Sequence, residues 1–319
     1  MMQVKTVSLL GQTVSLYGLF LALTVALFSA GLVLAAPKHG CKRGGACAFC
    51  LLAAALGLLL GRAVYCAVRF EWIFYDALGD FIGPAVFFNP WAGSANVIGV
   101  IVGVILAAPL AARLTGERAA KILDLAAPFG VGVYTVARAL EPLSGRGYGV
   151  IISESPLAVF PFALKTFMGE YALSVCFIEC VLAFIVLVCV LALRKKCPRP
   201  GMLALTALTL LSASQILPES LRHDDSLFIF VFARVTQIGF ALLLGGCLLF
   251  AQRGKGLTKK QIALDWALLL LGVAVCVAAE FALDKTTLPH GGIYIVMALT
   301  LCGMAAVALR RVFGKEQSA

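Results

Sequence analysis

Charge is what this sequence lacks. Only 13% of its 319 residues are Asp, Glu, Lys or Arg, against 61% that are apolar; a soluble domain has about a quarter charged. Half the usual charge cannot cover a water-facing surface of this size, which excludes an ordinary cytosolic enzyme. Histidine is scarce as well, with three in the chain. There are 11 cysteines, yet no two of them share an extracytoplasmic connection on the assignment below, so a secreted disulfide scaffold is excluded. Cys47 and Cys50 form a C-x-x-C at a helix start, but the further ligands of a metal or redox centre are not at hand. No metal and no cofactor is expected. The chain has no low-complexity tract and no clear internal repeat.

What the chain has in abundance is long apolar runs. A helix needs about 20 apolar residues to cross the hydrocarbon core. Nine spans are predicted, at about 14–36, 47–68, 94–114, 122–140, 172–193, 202–217, 227–251, 262–283 and 292–309, which makes this an all-α polytopic membrane protein. The sixth is short enough to be tilted or partly re-entrant. Lys and Arg divide unevenly between the two sides, 17 on one and 7 on the other, with Arg62 and Arg234 inside spans. The basic side carries the clusters at Lys38–Arg43, Arg113–Lys121, Arg194–Arg199, Arg253–Lys260 and the C-terminal tail. The N-terminus is therefore expected outside and the C-terminus in the cytoplasm. The net charge of +10 is read as this topology signal, and no nucleic-acid partner is implied. The first span is expected to be an uncleaved anchor, because its apolar stretch is long and its basic residues follow it. The outer connections 69–93 and 141–171 are rich in aromatics, including Trp72, Phe88, Phe160 and Phe167. They are expected at headgroup depth, as short interfacial helices.

Ionisable groups at membrane depth are costly and mark candidate functional sites. On the predicted spans Arg62 lies about 9 Å and Arg234 about 10 Å below the outer surface, at about 1.5 Å per residue. Arg138 falls in the last turn of span four, Arg222 just beyond span six and Arg146 in an outer connection. No Lys or Arg is buried in the inner half of a span, Arg113 being at the very end of span three. Glu141 follows Arg138 by three residues and Glu219 precedes Arg222 by three, a spacing that shares one helix face. Glu179 is inside span five; Tyr17 and Tyr65 bring hydroxyls into the outer halves of spans one and two, and Gln237 follows Arg234 by three. Internal ion pairing accounts for Arg138, Glu141 and Glu179 as well as a ligand site does. The arginines together suit an anionic phospholipid, because a guanidinium matches phosphate with a planar fork. Pro128, Gly130 and Gly132 lie in the first half of span four, and Gly145-Arg146-Gly147-Tyr148-Gly149 follows outside; both fit a cavity at this level, and an ordinary kink accounts for Pro128 as well as a functional break does. His223 and His290 are outer-side candidates for a general base.

With these residues in place the chain resembles the prolipoprotein diacylglyceryl transferases over about residues 12–252. Tyr17-Gly18 looks like an element of the first span of that family, and Gly61-Arg62-x-x-Tyr65 is similar to its second-span motif. Glu179 matches a fifth-span Glu. The longest likeness is Glu219-x-x-Arg222-x-x-Asp225, followed by Gln237 and Gly245. The chain departs from the family at three places. Residues 91–99 read WAGSANVIG with no His, a Gly-Arg-x-x-Asn signature is reduced to Arg138-x-x-Glu141 with Gly145 after it, and Gln215 stands where the family has Arg.

The resemblance implies a membrane core over 1–252, and an additional two-helix hairpin with a short tail over 253–319. It implies transfer of a diacylglyceryl group from phosphatidylglycerol to a cysteine thiol of a lipoprotein precursor, in the bacterial cytoplasmic membrane. The partners would be this anionic phospholipid and the signal peptides of precursors. Arg138 and Arg222 would meet the phosphate, and Glu141, Glu219 or His223 would act as base. Arg62 and Arg234 would hold the lipid or stiffen the site, Tyr65 and Arg146 would join them, and Tyr17 and Gln237 would line the cavity. The alternative is a catalytically silent relative that binds or moves anionic phospholipid. An unrelated anion transporter fits less well, because the charges are shallow and only one span is broken.

Overall fold

The computed structural model describes residues 4–9, 12–76, 78–89, 93–224, 227–228, 234–285 and 289–314. Trp91 and Asp225, both named above, lie outside these. A hairpin of strands β1 (Thr6–Leu9) and β2 (Gln12–Ser15) leads into helix α1 (Leu16–Ala35). There follow α2 (Arg43–Val68), the single-turn α3 (Phe70–Phe74), α4 (Val97–Thr115) and α5 (Ala119–Leu140). After α5 come a 3-10 turn (Glu141–Ser144) and strands β3 (Tyr148–Ile151), β4 (Ala163–Lys165) and β5 (Tyr171–Ser174). The rest is helical: α6 (Val175–Leu193), α7 (Met202–Ser220), α8 (Val235–Gln252), α9 (Lys259–Lys285) and α10 (His290–Phe313). Among the described residues nine of these helices are long and apolar enough to cross a membrane. The protein is an all-α multi-pass membrane protein, as its hydropathy predicts.

The connection 141–171 departs from expectation. It holds an antiparallel sheet in the order β3-β5-β4, not interfacial helices. Gly145 and Gly147 have positive φ, which stops helix growth after α5. α7 runs to Ser220, beyond the predicted end at 217. α8 begins only at Val235, so Arg234 stands at the mouth of its helix and not two turns inside a span. Arg234 forms an isolated bridge with Phe228, and the Val235 amide donates to the Leu227 carbonyl at 3.0 Å. Apolar content alone does not fix where a helix begins.

By contact the chain divides into two compact units. One comprises Ser29–Ala126 and Ser226–Gly239. Its centre is the pairing of α2 with α4, which is glycine-mediated. A Cβ on Gly99 would fall 2.2 Å from the Leu60 carbonyl oxygen, and one on Gly103 would fall 2.5 Å from that of Leu56. Gly57 and Gly61 face them from α2. Backbones this close leave no room for a side chain, the usual means of packing helices where lipid removes the hydrophobic drive. Gly99→Val is expected to cost about 3 kcal/mol or more through forced separation; an unchanged melting midpoint in detergent would contradict this packing.

The other unit comprises Met1–Phe28, Ala127–Asp225 and Phe240–Ala319. α7 is its most buried span, with α6 and α10 against it. Small residues on α7 such as Ala204, Ala207 and Ser212 permit the close approach. Near its C-terminal end Leu217 packs on Ala279, Ile293 and Met297 of the last two helices. At the opposite end Asp265, fully buried on α9, accepts from Arg310 at 2.8 Å, Arg311 at 2.6 Å and Gln252 at 2.9 Å. Lys255 and Arg199 donate to the last carbonyls of α10, where the helix dipole favours cations. The C-terminal hairpin is thus fastened to α7 and α8 at both ends.

Candidate active site

Four chain segments meet at one end of the second unit. α5 ends there, α6 begins there, α7 ends there, and the turn after α5 carries the Gly145–Gly149 run. Both arginines suit their local positions. Arg138 is in the last turn of α5 and Arg222 just past α7, where a guanidinium complements the helix C-terminus. Glu179 lies in the second turn of α6.

Arg222 is the hub. Its Nη1 donates to Glu141 Oε1 at 2.7 Å and to Asp224 Oδ2 at 2.8 Å. Its Nη2 donates to Glu141 Oε2 at 2.7 Å and to Glu179 Oε2 at 2.6 Å, and its Nε donates to Glu179 Oε1 at 3.1 Å. Two carboxylates are therefore gripped in bidentate fashion and a third caps the fork, which uses all five N–H donors of the side chain. Burial works against the charge of Arg222. Glu141, Glu179 and Glu219 more than reverse this and raise its pKa well above the ordinary arginine value.

Arg138 is less enclosed. Its Nε and Nη2 donate to the Tyr134 hydroxyl at 3.0 and 2.9 Å, and Nη1 donates to Glu141 Oε2 at 2.9 Å. Longer contacts reach Glu179 at 3.3 Å and Glu219 at 3.4 Å. The Tyr134 hydroxyl in turn donates to Gln215 Oε1 at 3.1 Å. Gln215, fully buried, is thus a neutral link that orients Tyr134 beneath Arg138. Glu219 is held only at 3.4 Å by Arg138 and 3.8 Å by Arg222. Glu141, by contrast, has both oxygens in short charge-assisted bonds.

The glycine run explains how the segment after α7 is held. The Gly147 amide donates to Asp224 Oδ2 at 2.8 Å, and the His223 amide donates to the Tyr148 carbonyl at 2.9 Å. A Cβ on Gly147 would meet Cys176 at 2.6 Å and the Glu141 carboxyl at 3.4 Å, and one on Gly149 would meet the Leu221 carbonyl oxygen at 2.5 Å. Glycine is needed at both for the loop to lie against the cluster. The amide of this run binds an internal carboxylate, so it is not a free phosphate cradle.

Arg138, Glu141, Glu219 and Arg222 are thus brought together, and internal ion pairing is the state in which they are found. His223 is exposed and its Nδ1 sits 3.2 Å from the Leu221 carbonyl. Tyr17, at the start of α1, lies within electrostatic range of Glu141, Arg138, Arg222 and Arg146. Arg62, Tyr65, Arg234 and Gln237 belong to the other unit. There Arg62 donates to the carbonyls of Phe87 at 3.0 Å, Ser94 and Asn89 at 3.2 Å and Val86 at 3.3 Å, clipping the connection between α3 and α4 onto α2. The Tyr65 ring fills the space beside Gly93, whose Cβ would fall 2.5 Å from it. Arg234 lies over the Phe228 ring at 5.0 Å, and its amide donates to Gln237 Oε1 at 3.4 Å. In the WAGSANVIG stretch Asn96 caps α4, its Oδ1 accepting from the Ile98 amide at 2.9 Å. Tyr134 and Asp224 were missed from the sequence. The Tyr134 hydroxyl was available to the i, i+4 rule; Asp224 was not, since its neighbour Asp225 carries the motif spacing.

A multi-pass membrane protein whose buried arginines and carboxylates gather at one end of its helices is the class these features define. The sequence profile of the prolipoprotein diacylglyceryl transferases matches residues 5–252. The chain belongs to that family. It is 30% identical over 194 residues to a phosphatidylglycerol–prolipoprotein diacylglyceryl transferase of Brucella anthropi, a match spanning 59% of this chain and 66% of that protein. To the protein of the same description in Bacillus velezensis it is 26% identical over 233 residues, spanning 71% of this chain and 83% of the relative.

Proposed function

We propose that this protein is a membrane transferase that moves a diacylglyceryl group from phosphatidylglycerol to a cysteine thiol of a lipoprotein precursor. It would work at the extracytoplasmic side of the bacterial cytoplasmic membrane, with its N-terminus outside and its C-terminus in the cytoplasm, as the excess of basic residues on the other side implies. The observation that carries the reading is the Arg138 guanidinium, held at the edge of a buried carboxylate cluster within the residues the family profile matches. The silent-relative reading is not taken up, because both relatives carry a transferase description.

In the reaction the thiolate sulfur attacks the glyceryl carbon that bears the phosphate ester. A carbon–sulfur bond forms, the carbon–oxygen bond breaks, and glycerol phosphate leaves with the electron pair. Negative charge grows on the departing oxygen, where a fixed guanidinium is most effective. The thiol proton must go to a base. Glu141 is locked by short bonds to two arginines and His223 is exposed, so Glu219, the most loosely held carboxylate of the cluster, is the proton acceptor we assign. Arg62 and Tyr65 would keep the outer connection in place. Arg234 and Gln237 would order the entry to α8.

The test is direct. The purified full chain is incubated with phosphatidylglycerol vesicles and a precursor peptide carrying one cysteine. The peptide is expected to gain the mass of one diacylglyceryl group, with glycerol phosphate released in equal amount. Folded protein that yields neither product would refute the reading.

A further inference from the structure

The cluster poses an electrostatic problem for an anionic lipid. Arg138 and Arg222 face four carboxylates, Glu141, Glu179, Glu219 and Asp224, within bonding distance. With all of them ionised the negative charges outnumber the positive, and Arg222 has no N–H left for a ligand. A phosphodiester cannot be seated there by displacing Glu141 or Glu179 without stranding a buried carboxylate.

Three polar groups beside the cluster have no such engagement. One hydrogen of Arg138 Nη1 is left over after the bond to Glu141, and the Arg138 side chain remains 11% exposed. The Tyr17 hydroxyl and the whole guanidinium of Arg146 make no hydrogen bond or ion pair among the described residues, and both side chains are half-buried. Arg146 is held close by its backbone. It sits between Gly145 and Gly147, at φ 74° and 84°, and a Cβ on Gly147 would be 3.4 Å from the Glu141 carboxyl. α1 is drawn to the same place. The Lys5 amide donates to the Leu143 carbonyl at 3.0 Å and the Leu16 amide to the Lys5 carbonyl at 2.9 Å, which ties the start of α1 to the turn before Arg146 and keeps Tyr17 within electrostatic range of it.

We propose that Arg146, with the free edge of Arg138 and the Tyr17 hydroxyl, is the seat of the donor lipid's phosphate, and that Arg222 is an internal keystone that does not meet the headgroup. This rests on the reading that the site handles an anionic phospholipid. Arg146 supplies the cation the closed cluster cannot spare. Its fork suits the two unesterified oxygens of a phosphodiester.

The experiment uses the full chain in detergent, with Arg146→Gln, Arg146→Lys and, as an outer-side charge control, Lys165→Gln. Transfer is measured against short-chain phosphatidylglycerol. Arg146→Gln is expected to raise the KM for the lipid by about tenfold to a hundredfold, the loss of a charge-assisted contact. Its kcat should stay within about twofold of wild type and its melting midpoint should not move. Arg146→Lys should recover part of the affinity, and Lys165→Gln should match wild type. An unchanged KM in Arg146→Gln, or equal shifts in Arg146→Gln and Lys165→Gln, overturns the seat. A folded Arg222→Lys with a raised KM overturns the keystone.

If the wild-type protein transfers nothing, the functional reading fails, and saturable stabilisation by short-chain phosphatidylglycerol decides the seat by itself. Its loss in Arg146→Gln supports the seat, and its retention overturns it. Inorganic phosphate stabilising the wild type as well as the lipid does would make this a free-phosphate site and overturn the lipid assignment.

Discussion

Arg222→Gln is expected to leave the protein without a stable native state. The guanidinium closes bidentate pairs with Glu141 and Glu179 and a third bond with Asp224, all between 2.6 and 3.1 Å. Removing it takes the short guanidinium bonds from three buried carboxylates and leaves Glu141 and Glu179 to Arg138, at 2.9 and 3.3 Å. Losing one partner of a buried ion pair costs about 3–5 kcal/mol, and here three acids each lose a guanidinium contact together. Arg222→Lys should fare little better, because one ammonium cannot reproduce two planar forks. The measurement is the melting midpoint and monodispersity of the full chain in detergent. A variant as stable as wild type would mean that the cluster is not the clamp described. The effect reaches beyond the cluster, since the segment bearing Arg222 is also tied to β3 through the His223 amide.

Arg138→Gln should have the opposite profile, with the fold kept and the chemistry lost. Arg222 still neutralises Glu141 and Glu179, and Tyr134 keeps its bond to Gln215. What disappears is the one guanidinium edge of the cluster that is not consumed internally. Removal of a preorganised group that meets charge developing in the transition state costs about 100-fold to 1000-fold in rate. Transfer to the peptide thiol should fall by that factor in kcat, with a modest change in melting midpoint. Retention of a tenth or more of the wild-type rate would take Arg138 out of the chemistry.

The nine spans were legible because a run of about 20 apolar residues is a bulk property that needs no knowledge of contacts. So were the local pairs, since Arg138 and Glu141, like Glu219 and Arg222, are neighbours on one turn. The hub was not. Arg222 meets Glu179 across 43 residues and Glu141 across 81, and no spacing rule reaches that far. Its donors are all taken by three carboxylates, the observation from which its proposed part as an internal support is drawn. Arg62 carries a similar lesson. Its intramembrane position was read as an available charge, yet backbone carbonyls of the connection between α3 and α4, invisible as side chains, take up its donors. The sheet between α5 and α6 was hidden because its strands are only three or four residues long, with positive φ at Gly147 before β3 and at Gly169 between β4 and β5.

The fastening of the last two helices bears on how the protein should be handled. The family match ends at residue 252, and a shortened version cut at that boundary would look natural. Such a truncation would strip away the wall formed by α10 behind α7, expose the apolar flank around Leu217 and leave Gln252 without Asp265. The helix that carries Gln215 and Glu219 would then lean on lipid alone along that side. Whatever origin the tail has, homologous chains lacking it must brace their sixth crossing some other way.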